Sequence, residues 1–161
     1  MDPNHTVSAL YNLVNVPSAV WIDETGHVRR IDEGTYATVH NMGDFQFGRA
    51  DYAPMVSDWV AQGDNSQYLP KPGAVTIAAK SSDQAMAEAA FQLAGYFKAN
   101  GQTDKADQYW AMAQRLHPDS WNYHRQDWAY TPDEAGDNWQ QKFQSLGDQP
   151  YYKPIEQLDT E

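Results

Sequence analysis

Residues 87–118, AEAAFQLAGYFKANGQTDKADQYWAMAQRLHP, are the stretch of the chain that decides its fold. Apolar side chains recur there at three- and four-residue spacing on both sides of Gly101, which suits a helix C-cap and turn. Small residues allow two helices to approach closely, and the large rings of Phe97 and Trp110 fill the space between them. The stretch therefore predicts an antiparallel pair of packed helices.

Eight residues set the spacing of this pair. They are Leu93, Ala94, Phe97, Gly101, Ala106, Trp110, Ala113 and Pro118. The pattern resembles one tetratricopeptide repeat. A single repeat does not bury its faces alone. The simpler interpretation is a helical hairpin that covers other elements of the same chain, and neither interpretation assigns a function.

Helical signals continue on both sides of this stretch. Upstream, Ser82 or Asp83 is suited to cap the first helix of the pair. Downstream, a third helix is predicted from about residue 120 to Tyr130. A fourth helix begins at Thr131-Pro132-Asp133, since proline is favoured at the first helical position. The C-terminal half is thus predicted to be a helical array.

The N-terminal part predicts a β-hairpin between two helices. Residues 4–14 and 51–62 carry apolar side chains at helical spacing. Between them, residues 19–22 and 27–31 predict two strands, joined by a turn in which Gly26 can take a positive φ. An isolated two-stranded hairpin is marginally stable, so a covering element or a further strand is expected.

The segment Asn15-Val16-Pro17-Ser18-Ala19-Val20-Trp21-Ile22-Asp23-Glu24-Thr25-Gly26 resembles part of the TlpA/ResA-type thioredoxin-like redoxins. That part holds the family's cis-proline and the antiparallel hairpin that follows it. The resemblance implies that Pro17 is a structural, cis-proline-like residue and that residues 51–61 form the closing helix. Residues 121–126 and 150–154 resemble members of the family that carry a C-terminal tetratricopeptide region.

The chain departs from this family in one large respect, because the N-terminal half with its CxxC dithiol has no counterpart. There is no cysteine, so thiol–disulfide exchange is excluded. The hairpin would also lack the strand beside which the family places it, and an unpaired edge invites another chain. We expect a homodimer that joins two copies of the 19–31 hairpin. A separate chain supplying the missing half, as in a split redoxin, is the alternative.

These patterns predict an α+β fold that is mostly α. Residues 1–64 would form a partial thioredoxin-like β-hairpin with flanking helices, and residues 65–81 a linker. Residues 82–146 would form tetratricopeptide-like helices, and residues 147–161 an extended tail. The carboxylates of Glu24, Asp32 and Glu33 are predicted to be solvated hairpin positions.

Composition limits the classes of partner. The chain has 161 residues, 11 Lys and Arg, 22 Asp and Glu, and a net charge of −11. This charge disfavours nucleic acid and anionic membranes, because both require cationic surfaces. The first ten residues carry neither the basic nor the apolar region of a secretory signal, which predicts a cytoplasmic protein. A mature exported protein would have the same sequence features.

The histidines offer the candidates for acid–base chemistry. Residues 34–50 predict a loop, rich in Gly, Asn, Asp and aromatic residues, and loops often carry function. Within it, His40 with Asp44 and Tyr36 is the best catalytic set, His40 and Asp44 forming an acid–base pair. His124 and Asp127 could form a second acid–base pair. No zinc motif is present, so neither a metal nor another cofactor is predicted.

Aromatic residues offer a second kind of site. Trp121 and Trp128 are seven residues apart on one helical face, with Arg125 between them, and together they could bind a ligand or peptide through cation–π contacts. Packing between helices is the commoner role of such a stripe. Trp59 on the predicted second helix is a further candidate binding residue.

Three functions follow as hypotheses. The first is a non-redox protein-interaction or oligomerisation module derived from a redoxin–tetratricopeptide protein, whose partner is itself or another protein or peptide. The second is a cysteine-free lyase, isomerase or hydrolase with a dimer cleft lined by Tyr36, His40, Trp59, Trp121 and Arg125. The third is one half of a split redoxin.

Overall fold

The computed structural model describes residues 5–42, 45–70 and 77–159, and confirms a mostly α, α+β fold. Its helices are α1 (Thr6–Leu10), α2 (Tyr52–Gln62), α3 (Ser82–Ala99), α4 (Thr103–Leu116), α5 (Trp121–Trp128) and α6 (Pro132–Gln144). Its strands are β1 (Ser18–Ile22), β2 (Val28–Glu33), β3 (His40–Met42) and β4 (Phe45–Phe47).

The chain divides into two compact units, and each is built from two separate stretches of sequence. The helical unit takes the described residues of Met1–Val14 and Ile77–Gln149. The hairpin unit takes those of Asn15–Thr76 and Pro150–Glu161. This division differs from the predicted order of domains, in which residues 1–64 stood together and residues 147–161 formed a tail.

The α3–α4 pair of the helical unit has the predicted packing. Ser81 caps α3 by accepting a hydrogen bond from the Gln84 backbone N–H at 3.1 Å, and the Gln84 side chain accepts one from Ser81 N–H at 2.9 Å. Gly101, at φ +72°, makes the turn. The buried core between the helices is made of Ala90, Phe91, Ala94, Ala106, Trp110 and Ala113.

Helix α1 ends at Leu10, four residues before the predicted end at residue 14. The Asn122 side-chain amide donates to the Leu13 carbonyl at 2.7 Å, and the Asn122 backbone N–H donates to the Val14 carbonyl at 3.1 Å. Asn12 has φ +52°, in the left-handed region, which ends the helical path. The residues after α1 therefore leave the helical path, and Asn122 of α5 binds their backbone.

The hairpin unit is organised by the β1–β2 pair, which is antiparallel and forms a two-stranded sheet within the described residues. The Val16–Pro17 peptide that precedes β1 is cis, and the turn residue Gly26 has φ +86°. Buried Trp21 packs in one cluster with Tyr52 and Met55 of α2 and with Ile155. The core of this unit thus lies between one face of the hairpin, α2 and the C-terminal segment.

Residues 34–50 were predicted to be a loop, and that prediction is wrong. Strands β3 and β4 pair antiparallel, with His40 opposite Phe47. Gly48, at φ +134°, brings the backbone so close to Thr38 that a Cβ atom there would lie 2.2 Å from the Thr38 carbonyl oxygen. Short strands with few residues and flanking glycines carry little periodicity, which is why the sequence pattern resembled a loop.

The C-terminal segment and part of the predicted linker are folded onto the hairpin unit. Ile155 is only 2% exposed, and Tyr68 and Leu69 pack against the same cluster. The Asp159 carboxylate accepts hydrogen bonds from the Ile155 backbone N–H at 2.6 Å and from Arg49 at 2.8 Å. These contacts explain why the chain returns to the hairpin after passing through the helical unit.

Candidate functional site

The two faces of the β1–β2 hairpin have an unusual distribution of polarity. Since side chains alternate across a strand, Trp21 of β1 shares its face with Arg30 and Asp32 of β2. All three side chains are buried. The predicted solvation of Asp32 is therefore wrong, and so is that of Glu33, which is 9% exposed and pairs with Lys153 at 3.1 Å.

Buried charge on this face is compensated by a continuous hydrogen-bond network. Arg30 Nε donates to Asp32 Oδ2 at 2.6 Å, and the Tyr52 hydroxyl donates to the same oxygen at 2.8 Å. The Trp21 indole N–H donates to the Tyr52 hydroxyl oxygen, also at 2.8 Å. Burial and the neighbouring Asp32 carboxylate raise the pKa of Tyr52 well above its usual range, so this hydroxyl stays protonated and remains a donor.

Arg30 also fixes the segments that cover the hairpin. Its Nη1 donates to the Gln157 side chain at 2.7 Å and to the Tyr68 carbonyl, and its Nη2 donates to the Glu156 carbonyl at 2.9 Å. With every side of the guanidinium bonded, the network is well suited to hold the hairpin rigid.

The opposite face of the hairpin is apolar near the turn and ends in the polar pair Ser18 and Glu33. The register places Val20 opposite Ile31 and Ile22 opposite Val28, and a bulge after Trp21 accommodates Arg29. We call these four apolar side chains the outer face. Ile22 is 44% exposed and the other three are half-buried. Neither outer edge of the two-stranded sheet pairs with a further strand in the part of the chain that is described. Unpaired edges beside apolar side chains are typical of sites where another strand adds.

Trp59, a predicted binding residue, lies in the hairpin unit and stacks on Trp21. The two ring centroids are 4.9 Å apart with an interplanar angle of 17°. The half-buried Trp59 ring is thereby part of the packing around Trp21, and the contact stabilises the face that carries the polar network.

The predicted catalytic candidate His40 is exposed and lies among aromatic rings. Its centroid is 5.5 Å from that of Tyr36 and 5.4 Å from that of Phe47, and its Nε2 is 2.9 Å from the Thr38 hydroxyl. Asp44, the predicted acid–base partner, lies outside the described residues. The structure therefore brings together His40 and Tyr36 of the predicted set, on the β3–β4 hairpin.

Two of the predicted ligand-binding residues, Trp121 and Trp128, contact each other in the helical unit. Their ring centroids are 6.5 Å apart, and Trp139 of α6 is 6.3 Å from Trp121. The Lys142 ammonium lies 4.9 Å from the Trp121 ring centroid and donates to the Pro118 carbonyl at 2.8 Å. Trp121 is 4% exposed, so its ring mainly joins α5 to α6. Arg125, the third predicted residue, is half-buried on α5.

The predicted enzyme cleft combines residues from both compact units. Tyr36, His40 and Trp59 belong to the hairpin unit, whereas Trp121 and Arg125 belong to the helical unit. The aromatic residues of each set contact other aromatic side chains of their own unit, and these contacts explain where the residues lie within that unit.

His124, the histidine of the second acid–base pair suggested by the sequence, lies on α5. Its ring centroid lies 5.5 Å from that of Trp128, and its buried Nε2 has no hydrogen-bond partner among the described residues. Burial, and secondarily the positive charge of Lys142, lower the pKa of His124 to about 4, against the opposing effect of a hydrogen bond with Pro118. The imidazole is therefore neutral at physiological pH.

We expect protonation of His124 to destabilise the helical unit in acid. The unfolded chain binds this proton near pH 6.5 and the folded chain only near about 4, so stability is lost as pH falls through that interval. In urea denaturation at several pH values, the wild-type chain should lose stability relative to His124→Phe across this window. Parallel pH profiles for the two chains would contradict the assignment.

Comparison with known proteins yields no relative. No protein-family model matches the chain, and neither a curated protein nor a solved structure matches it significantly.

Among the described residues, no helix is both long and apolar enough to cross a bilayer. Within residues 5–42, 45–70 and 77–159, no group of three or more His, Asp or Glu side chains is placed to hold a metal ion.

Proposed function

We propose that the chain is a non-redox protein-interaction and oligomerisation module derived from a redoxin–tetratricopeptide protein, and that its partner is a second copy of itself. The supporting observation is the β1–β2 hairpin, whose outer edges are unpaired and whose outer face is apolar. The absence of cysteine excludes dithiol chemistry, so binding rather than redox turnover is the activity that this surface supports.

A second copy of the chain can pair with the free strand edges of the hairpin in a symmetrical arrangement. Two hairpins that pair edge to edge about a two-fold axis form one four-stranded sheet, and each copy offers the same surface to the other. Such a sheet also makes the apolar outer faces continuous, which increases the apolar area removed from water. The polar network around Arg30 favours this association, because a strand held rigid before binding loses less entropy when it pairs.

The test is a charge placed on the outer face. We expect Ile22→Lys to lower the average mass of the chain in solution, because lysine on an edge strand opposes pairing with a like-charged copy. Light scattering on a size-exclusion column measures that mass against the 18.2 kDa of one chain. The matched control is Val60→Lys, since Val60 is 76% exposed and belongs to α2 of the same unit and not to a strand.

Three results would contradict this proposal. One is a wild-type chain that has the mass of a monomer at every concentration measured. Another is an Ile22→Lys variant that keeps the wild-type mass while its far-UV circular dichroism shows that it is folded. A reduced mass in both lysine variants would also count against it, because the effect would then arise from added charge and not from the strand edge.

A further inference from the structure

Helix α3 is apolar on the side that faces away from α4. The residues on this side are all exposed: Ser82, Ala85, Met86, Ala89, Gln92, Leu93, Tyr96 and Ala99. Met86 is 53% exposed, Leu93 41% and Tyr96 60%. We call this surface the α3 face. A helix that buries apolar residues on one side and shows apolar residues on the other is typical of a helix buried between neighbours.

The α3 face also carries no charge, in a chain whose net charge is −11. The three charged residues of α3 have other positions or partners. Lys98 lies 4.7 Å from the Tyr130 ring centroid, and Glu88 pairs with Lys80. Asp83 lies in the first turn, about a sixth of a helical turn from Met86, at the border of the face. An uncharged face gives no electrostatic recognition to a basic or acidic partner, but it lets two acidic copies approach each other.

The spacing of large and small residues on the α3 face is self-complementary. In an antiparallel pair of α3 helices related by a two-fold axis at residue 91, residue n of one copy faces residue 182 − n of the other, which follows from the numbering. Met86 then faces Tyr96 of the second copy, and the small Ala89 faces the larger Leu93. Ala85 faces the partly buried Phe97. At 3.6 residues per turn, the two members of each facing pair lie symmetrically on either side of one common direction from the helix axis. All three pairs can therefore lie in the same interface.

We propose that the α3 face is a second self-association surface, at which two copies of the chain pair their α3 helices antiparallel. This surface belongs to the helical unit, and it is distinct from the hairpin edge of the proposed function. The 18 residues of α3 span about 27 Å, and one helix face supplies only part of the roughly 800 Å² per partner of a standard interface. The pairing is accordingly weak and depends on concentration.

Four full-length chains distinguish this surface from the hairpin edge: the wild type, Ile22→Lys, Leu93→Glu and the double variant. With both surfaces intact, sedimentation equilibrium should show dimers that associate further into tetramers or larger species as concentration rises. Each single variant should stop at a dimer, and the double variant should be a monomer. We expect Leu93→Glu to weaken the α3 association at least tenfold, because two carboxylates then meet near the axis.

A matched control separates the α3 face from a general effect of charge. Ala111→Glu adds the same charge at an exposed position of α4 and should associate like the wild type. If Leu93→Glu also associates like the wild type, the α3 proposal is overturned while the hairpin proposal stands. If Ile22→Lys alone has no effect, the hairpin proposal fails and the α3 proposal stands.

The antiparallel register has its own test in a pair of opposite charges. Met86→Lys and Tyr96→Glu should each weaken the α3 association, and the chain that carries both should recover it, because each introduced charge faces its opposite in the second copy. The two positions are ten residues apart and are not neighbours within one helix, so recovery does not arise inside a single chain. If both single variants associate weakly and the double variant does not regain wild-type association, the antiparallel register is overturned.

Discussion

Replacing Arg30 by methionine is expected to lower the free energy of unfolding of the hairpin unit by about 3–5 kcal/mol, the cost of removing one partner from a buried ion pair. The Arg30 side chain is 2% exposed and its ion-pair partner Asp32 is 6% exposed. Without the guanidinium, the Asp32 carboxylate keeps the Tyr52 hydroxyl but loses the cation that lies 2.6 Å from its Oδ2 atom. The carbonyls of Tyr68 and Glu156 lose a charged donor as well.

The adjacent Arg29 supplies a matched control with the opposite expectation. Its side chain is 29% exposed and pairs with Asp23 at 3.2 Å and with Asp64, which is 80% exposed, at 2.6 Å. Pairs that are open to water contribute little, so Arg29→Met should cost no more than about 1 kcal/mol. Urea denaturation measures both changes. Hydrogen exchange should show faster exchange in β1, β2 and residues 155–158 for Arg30→Met alone; equal losses in the two variants would mean that the network does not anchor the hairpin.

The helices were predictable because their signals are local. The end of α3 at Gly101 and the start of α6 at Pro132 depend on the conformations that glycine and proline allow. The core residues of α3 and α4 follow a period close to 3.6, which a few turns of sequence are enough to reveal. Helix α1 is shorter than its periodicity predicts, because Asn12 takes a left-handed φ of +52° that no apolar spacing reveals.

The polar network was not predictable, because it depends on strand register and on residues distant in sequence. The bulge at Arg29 shifts the pairing by one residue, and a shift of one residue exchanges the two faces of a strand. It places Arg30 and Asp32 on the buried face, whereas the sequence predicted a solvated Asp32. Their partners come from positions 52, 68, 156 and 157, and no local pattern relates these positions to the hairpin.

The candidate sites also have a part that local sequence spacing predicts and a part that depends on distant residues. Trp121 and Trp128 were correctly placed on one helical face, since a seven-residue separation is nearly two helical turns. Sequence spacing did not reveal that Trp139 and Lys142 of α6 cover that face. His124 was predicted as a possible acid–base residue, but its lowered pKa comes from tertiary burial and from Lys142, which sequence spacing does not reveal.

The second large effect is expected at Trp110, where truncation to alanine should cost the helical unit about 3–5 kcal/mol. The Trp110 side chain is 1% exposed, and its ring centroid lies 5.1 Å from that of Tyr130. Ala94 and Ala106 around it are completely buried, so the surrounding side chains are too short to fill the cavity that the indole would leave. Loss of the ring also removes the stacking contact with Tyr130.

Trp110→Phe and Gln108→Ala make this prediction specific. The Trp110 indole N–H is buried with no hydrogen-bond partner among the described residues, so phenylalanine loses volume but also removes an unsatisfied donor. Its cost should therefore be clearly smaller than that of alanine. Gln108 is exposed on the same helix, and its truncation should change stability by no more than about 0.5 kcal/mol. Urea denaturation followed by circular dichroism at 222 nm, the far-UV helix signal, measures all three variants. A small loss for Trp110→Ala would mean that α3 and α4 can close over the gap, and that the tetratricopeptide-like spacing of small residues does not set their separation.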